Sequence, residues 1–405
     1  MIRNIIAFSA NNRVLVLIIA LAAVAAGFYS VKNINLDAIP DLSDTQVIVY
    51  SRWDRSPDII EDQVTYPVIT SLLGLPRVKT IRGFSDFGFS YVYVIFEDGT
   101  DIYWARSRVL EYLSKILPQM PEGVKTELGP DATGVGWIYQ YALVDRTGRH
   151  DLAELRSYQD WNLRYQLQSV PGVAEVAAVG GFQKQYQVNL NPDAMASFGV
   201  SIGAVMKAVQ EGNEEVGARL IEYAGTEYMI RGKGYAKSVK DIEDIVIARG
   251  PGGTPVLVKN VASVTAAPEM RRGLGDLDGE GDAVGGIVVM RHGENALKVI
   301  ERVKERIDDI KPSLPEGMEI LTTYDRSDLI KRAIDTLKHQ LTVEMIIVSL
   351  VILFFLWHIP SAVIPIITIP VSVLLAFIPM YLAGISSNIM SLAGIAISIG
   401  VLVDG

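Results

Sequence analysis

The chain has 405 residues, of which 49% are hydrophobic, and its 37 basic and 46 acidic side chains give a formal net charge of −9. No basic patch stands out, so a nucleic-acid partner is not expected. The absence of cysteine excludes disulfides and thiolate metal sites. A mean hydropathy of +0.27 is high for a soluble protein and low for a wholly membrane-embedded one, which favours a membrane part joined to a large polar part.

The first apolar run, residues 14–31, is long enough to span a bilayer and follows Arg3 and Arg13. The positive-inside bias then places the N-terminus in the cytoplasm and the next residues outside. A cleaved signal peptide is the competing interpretation. Because the run is long and no small-x-small site precedes an obvious mature start, we predict an uncleaved transmembrane helix within residues 1–32.

The polar region 33–338 opens with a pattern typical of an α+β unit. The predicted strands and helices, in chain order, are strand 46–52, helix 57–73, strands 78–82 and 91–97, helix 102–117 and strand 124–128. Pro57 suits the first turn of the first helix, and Asp101 or Thr100 caps the second. The order β-α-β-β-α-β is that of a ferredoxin-like unit, which we place at residues 33–133.

The motif Pro-x-x-Pro-Glu-Gly occurs at Pro118–Gly123 and again at Pro312–Gly317, each time between a predicted helix and a predicted strand. Such self-similarity indicates an internal repeat. We therefore predict a second ferredoxin-like unit, split between residues 134–181 and 274–338. The residues between its two parts, 182–273, have strands and a helix of their own and are predicted to form an inserted subdomain.

The last region, 339–405, contains further apolar segments. Residues 341–357 and 362–383 are each long enough to span a membrane, a tight loop is predicted at 358–361, and a final apolar run begins at Ser391. Counting crossings from a cytoplasmic N-terminus makes the final run a fourth helix that heads inward. The predicted fold class is therefore an α-helical membrane protein with four transmembrane helices and a large α+β part outside the membrane.

The final run ends in a lone carboxylate, Asp404. The thirteen residues from Ser391 cover only about 20 Å, two-thirds of a hydrocarbon core, so this acid is expected deep in the membrane. A buried acid there is costly and is typical of a proton carrier that faces a protein interior. The alternative is that the helix ends at Asp404 and that the carboxylate reaches water.

A soft metal would have to be bound by methionine or histidine, because the chain has no cysteine and thioethers suit Cu(I) and Ag(I). Met390 lies just before the fourth helix and Met270 lies at the return from the insert. Filling gaps in the packing is the commoner role of a membrane methionine, and no two methionines stand at ligand spacing. The chain has no nucleophile elbow, P-loop or His-Glu-x-x-His motif, so we predict neither an enzyme nor ATP use, and the proton gradient is the expected energy source.

Several stretches together resemble the N-terminal half of resistance–nodulation–division (RND) exporters, specifically the heavy-metal branch and its Cus-type copper/silver pumps. The stretches that carry the resemblance are Asp37–Asp44, Gln63–Pro67, Tyr91–Thr100 with Tyr103–Tyr112, Leu128–Tyr139 and Asn388–Leu392. The resemblance implies proton-driven export from the inner membrane by a multi-pass homotrimer with a large periplasmic domain.

The resemblance also implies two partners, a periplasmic membrane-fusion adaptor and an outer-membrane channel, and no permanently bound cofactor. The two repeats would be porter subdomains and the insert a docking subdomain. Asp404 matches the proton-relay acid of the family, and Met270 and Met390 match methionines proposed to pass Cu(I) or Ag(I). The family continues beyond Gly405 with a second half that holds the relay lysine and a three-methionine site, so we expect this chain to be a fragment.

Two positions depart from the copper/silver pattern. Leu402 stands where copper-type members carry methionine, and Asp404 is followed by Gly405 rather than alanine, as in the divalent-metal branch. Export of Zn, Co, Ni or Cd ions therefore stays open as an alternative. A second alternative is a membrane-anchored periplasmic sensor or scaffold, whose helices only anchor it.

Overall fold

The structure, a computed structural model, describes Phe8 and residues 11–271, 273–356 and 359–404. It divides into two compact units. One contains the residues up to Arg146, Gln159–Val179 and the residues from Gly285 onward, and the other contains Thr147–Tyr158 and Gly180–Val284. Helices and strands occur in both, which confirms an α+β architecture with a few apolar helices.

The first unit begins with helix α1, Arg13–Asn33, which the first four-stranded sheet follows. Its elements are β1 Gln46–Arg52, helix α2 in the three segments Pro57–Ile60, Glu61–Thr65 and Tyr66–Leu72, β2 Val78–Asp86, β3 Phe89–Phe96, helix α3 Ile102–Ile116 and β4 Lys125–Leu128. The strand order is β2-β3-β1-β4. Alternation along β1 and β3 puts one set of valines on a single face, where α2 and α3 bury them; the set is Val47, Val49, Val92 and Val94.

The second sheet of this unit repeats the arrangement. Its elements are β5 Trp137–Asp145, helix α4, β6 Val173–Gly180, β13 Val284–Met290, helix α9 Ala296–Ile310 and β14 Met318–Asp325. Helix α4 has three segments, Leu152–Tyr158, which is counted with the second unit, Gln159–Leu163 and Arg164–Gln168. The order β14-β5-β13-β6 is the order of the first sheet, since β5, β6, β13 and β14 take the places of β1, β2, β3 and β4. In each sheet the first helix contains a π-helical turn, Glu61–Thr65 or Gln159–Leu163.

The second unit contains the elements between β6 and β13. They are β7 Lys184–Leu190, α5 Pro192–Phe198, α6 Ile202–Gly212, β8 Val216–Tyr223, β9 Thr226–Gly232, α7 Val239–Glu243, β10 Val246–Arg249, β11 Pro255–Leu257, α8 Val258–Val261 and β12 Ala262–Pro268. Three antiparallel pairs form, β7 with β12, β10 with β11 and β8 with β9. Ser201 caps α6, because its hydroxyl oxygen accepts a hydrogen bond from the Ala204 N–H at 3.2 Å.

Three apolar helices close the first unit, α10 Arg326–Leu356, α11 Ile359–Leu382 and α12 Ile389–Asp404. Over the described residues, α1 and the stretch Arg326–Phe355 are long and apolar enough to cross a membrane, and two shorter apolar stretches are Ile366–Leu382 and Ile389–Ser398. A core cluster joins α11 and α12 to Ile34, the residue that follows α1.

Two sequence predictions need correction. The second apolar helix does not start at Leu341, because α10 continues without a break from Arg326, directly after β14. Hydropathy marks only the apolar part of such a helix, and residues 326–340 contain no glycine or proline that would end it. The loop predicted at 358–361 is also wrong where it is described, since α11 already begins at Ile359.

Candidate functional site

The predicted site residue Met390 lies at the start of α12, where a buried asparagine caps the helix. The side-chain oxygen of Asn388 accepts hydrogen bonds from the backbone N–H groups of Met390 and Ser391, both at 3.0 Å. Asn388 is 4% exposed, whereas Met390 is 68% exposed. The cap satisfies two N–H groups of the first turn and fixes the backbone from which the thioether projects. Met390 is therefore an accessible sulfur on a rigid support.

Two other methionines of the apolar helices have a different environment. Met345 on α10 and Met380 on α11 are partly buried and pack against the core cluster formed by Ile34, Ile369, Phe377, Leu392 and Ile395. Such contacts are those of gap-filling side chains. The structure thus distinguishes these two methionines from Met390, a distinction that residue type alone does not provide.

A connector, Ile34–Asp41, follows α1 and lies beside the loop that precedes α12. The backbone N–H of Asp37 donates to the Ser387 carbonyl at 3.1 Å, and the N–H of Ser387 donates to the Asn35 carbonyl at 2.8 Å. A further bond runs from the Ile389 N–H to the Ala38 carbonyl at 3.1 Å. The connector and this loop therefore pair like two short parallel strands, around the bridge between Leu36 and Ser387.

A buried ion pair joins the connector to the start of α10. Arg326 Nη1 lies 3.4 Å from Asp37 Oδ1, with the two side chains 7% and 13% exposed. The same guanidinium donates to the carbonyls of Val135 and Trp137, each at 2.5 Å. Burial raises the pKa of Asp37 above 3.8, although the Ala38 N–H and Arg326 oppose this shift. No local pattern predicts this pair, because its partners stand 289 positions apart.

A groove of about 460 Å³ opens between α10 and α12. Its walls are formed by Leu329, Arg332, Ala333, Thr336, Leu337, Gln340, Ile389, Leu392, Ala393 and Ala396. The lining contains neither methionine nor carboxylate, so the groove itself offers no ligand of the kind that Cu(I) or a divalent cation prefers.

The backbone of α12 continues to Asp404, the predicted proton carrier. Its side chain, and that of Leu402, lie outside the described part of the structure. The position of Asp404 fifteen residues after Ile389 puts it about 22 Å along the helix axis from the capped end. The helix therefore carries Met390 at one end and Asp404 at the other.

Met270 belongs to the second unit, in the irregular segment after β12, and is 76% exposed. Its neighbour Arg271 makes a two-bond ion pair with Asp282, at 2.6 and 2.9 Å. These hydrogen bonds lower the pKa of Asp282. Among the residues that the structure describes, no group of three or more histidine, aspartate or glutamate side chains could hold a metal ion. Methionine is thus the available soft ligand at both predicted positions.

Comparison with known proteins places this arrangement in a family. The profile of the AcrB/AcrD/AcrF family matches residues 5–405. The chain is 53% identical over 405 residues to the cation efflux system protein CusA of Escherichia coli K12 and 52% identical to the putative cation efflux system protein SilA of Salmonella typhimurium. It is 36% identical to the cobalt-zinc-cadmium resistance protein CzcA of Cupriavidus metallidurans.

Each of these matches covers the whole chain but only 38–39% of the relative. A crystal structure of a heavy metal efflux pump superposes with a TM-score of 0.86 at 30% identity, covering 99% of this chain and 40% of that one. The resemblance to the N-terminal half of a Cus-type pump, which the sequence motifs indicated, is thereby confirmed. The chain belongs to the AcrB/AcrD/AcrF family.

Proposed function

We propose that the protein exports heavy-metal cations, most favourably Cu(I) and Ag(I), across the inner membrane at the expense of the proton gradient. The observation that carries the proposal is the identity of 52–53% over the entire chain to CusA and SilA, against 36% to CzcA. The accessible thioether of Met390, on its capped helix end, supports a soft monovalent cargo.

The proposed mechanism assigns one role to each end of α12. Met390 offers a thioether to the metal at the outer mouth of the membrane part, and Met270 offers one in the outer domain. Asp404 takes up and releases the proton that drives the cycle, since an acid deep in a membrane helix is typical of proton relays. Helices α1, α10, α11 and α12 would be the four transmembrane helices, and the two sheets with the same strand order would be ferredoxin-like porter subdomains.

The test is metal resistance of a sensitive bacterial host that expresses the full-length protein. Asp404→Asn should abolish resistance to silver and copper, because the amide cannot exchange a proton. Met390→Ile should reduce it, whereas the matched control Met345→Leu should leave it unchanged, because Met345 only fills the packing. Normal resistance in the Asp404→Asn variant would favour the sensor or scaffold instead.

Two residues near Asp404, Leu402 and Gly405, support export of divalent metals instead, because both depart from the copper/silver pattern. This alternative predicts protection against zinc, cobalt, nickel or cadmium rather than silver, and it predicts that Met390→Ile has no effect. Growth on a silver series and a zinc series with the same strains separates the two cargoes.

We also propose that the protein assembles as a homotrimer and binds a periplasmic adaptor and an outer-membrane channel. The inserted subdomain, residues 182–273, would be the docking subdomain of this assembly. The β8–β9 hairpin supports self-association, since every residue of β9 is exposed and Met229 is 81% exposed. A two-stranded hairpin is marginally stable unless something packs on it. Met229→Glu should weaken the assembly seen by chemical cross-linking in membranes, whereas Lys207→Glu, at an exposed position on α6, should not.

A further inference from the structure

The connector Ile34–Asp41 contacts more of the first unit than the loop before α12. On its other side the Asn35 side-chain amide donates to the Gly293 carbonyl at 2.7 Å, and the Ala296 N–H donates to the Leu36 carbonyl at 3.1 Å. The side chain of Asn295 donates to the Ile34 carbonyl at 3.4 Å. These contacts dock the connector on the N-terminal end of α9, in the second sheet's layer of helices.

Asn295 makes a second contact at the N-terminal end of α9. Its side-chain oxygen caps α9 by accepting from the Lys298 N–H at 3.0 Å. The same residue therefore fixes the start of α9 and holds the connector. At the far end of the connector, Asp41 accepts a hydrogen bond at 2.7 Å from Thr133, in the loop before β5.

The bonds of Asn35 to Gly293 and of Thr133 to Asp41 are exposed, whereas several other residues that hold the connector are buried. Relative exposure is 4% for Ile34, 1% for Ala38, 3% for Ser387, 7% for Asn295 and 6% for Arg326. A buried hydrogen bond cannot be replaced by water without leaving a polar group unpaired. The connector therefore cannot slide along either neighbour without breaking several bonds at once.

We propose that the connector Ile34–Asp41 is a rigid coupling element that joins the outer end of α12 to α9 and the start of α10, so that these parts move as one body during transport. The inference rests on the proposed function, in which the proton on α12 drives the cycle. A displacement of α12 would reach the second sheet through the hydrogen bonds on both sides of the connector.

The first test is a covalent tether. This chain contains no cysteine, so Leu36→Cys together with Ser387→Cys would place a unique pair within it, across the bridge between connector and loop. If the two segments move together, the oxidised pair transports silver at the rate of the two single-cysteine variants. Loss of transport on oxidation with recovery on reduction would overturn the proposal, because it would show that the segments must separate.

The second test removes one bond. Ile389 is the first residue of α12, a position that tolerates proline, so Ile389→Pro deletes the N–H that donates to Ala38 and keeps the helix. Transport should fall by about two- to ten-fold, the factor that the loss of one hydrogen bond corresponds to. Ile389→Ala, which keeps the N–H, is the matched control, and the tether should restore transport to the proline variant.

Three outcomes would contradict the proposal: equal transport by the proline and alanine variants, no rescue by the tether, or no cross-link between Leu36→Cys and Ser387→Cys in membranes. Rescue by the tether is the result that a merely structural role of Ile389 would not give. If the unmodified protein confers no metal resistance, the proposed function fails instead. The cross-linking yield would still report whether the connector and the loop stay together.

Discussion

Replacing Arg326 by methionine should destabilise the first unit more than any neighbouring change. The Arg326 side chain is 7% exposed, and its guanidinium pairs with the Asp37 side chain, which is 13% exposed. The guanidinium also donates to the carbonyls of Val135 and Trp137. Removing one partner of a buried pair costs about 3–5 kcal/mol, because the other charge stays buried without compensation. At roughly 2 °C per kcal/mol for a unit of this size, the melting temperature should fall by about 6–10 °C.

The assay is thermal unfolding of the detergent-solubilised protein, compared with Asp37→Asn and with the double variant. Asp37→Asn/Arg326→Met should melt above Arg326→Met, because the amide removes the uncompensated charge and still accepts from the Ala38 N–H. The difference between the single and double variants isolates the interaction between the two side chains.

Acidification provides an independent check of the same reasoning. The folded-state pKa of Asp37 is already raised by burial, and loss of Arg326 raises it further. A raised folded-state pKa favours folding at low pH, and the advantage is lost as the pH rises through that pKa. The deficit of Arg326→Met should therefore be largest at neutral pH and shrink in acid. Unchanged melting, or a deficit that does not respond to pH, would refute the ion-pair argument.

Three further changes test other parts of the unit by the same melting assay. Gly286→Ala puts a methyl group 2.4 Å from the ring of Tyr141 and should cost about 1–3 kcal/mol. Asn388→Ala removes the cap of α12 and should cost about 1 kcal/mol. Burial raises the pKa of Asp325, but hydrogen bonds led by that from Lys304 outweigh it and lower the pKa below 3.8. The stability it gives is present above 3.8 and lost as the pH falls through the lower folded value, so Asp325→Asn should be destabilising at neutral pH and neutral in strong acid.

Local patterns predicted most of the helices and strands in the polar region 33–338. The cap at Asp101 is confirmed, since its carboxylate accepts a hydrogen bond from the Trp104 N–H. Both Pro-x-x-Pro-Glu-Gly motifs do separate a helix from a strand, α3 from β4 and α9 from β14. These features depend on residues within one or two turns of each other, which is the range over which a single sequence is informative.

The features that escaped prediction depend on distant partners or on small energy differences. The π-helical turns in α2 and α4 preserve the hydrophobic pattern closely enough that a continuous helix is the simpler interpretation. Strand β8 was missed because only its pairing with β9 defines it. At the site, Met390 was predicted from residue type and its role in metal transfer stays a prediction, whereas the link between Asp37 and Arg326 exists only in the folded chain.

The unbroken course of α10 has a mechanical consequence. Its 31 residues make a rod about 46 Å long, with Arg326 as its first residue at the end next to β14. A tilt of about 5° around the opposite end would carry Arg326 through an arc of about 4 Å, which exceeds the reach of any hydrogen bond it makes. A small tilt of the apolar end must therefore either move Asp37 and β5 together with Arg326 or break the bonds between them. The length of α10 thus converts a small change of angle at one end into a displacement of several ångströms at Arg326.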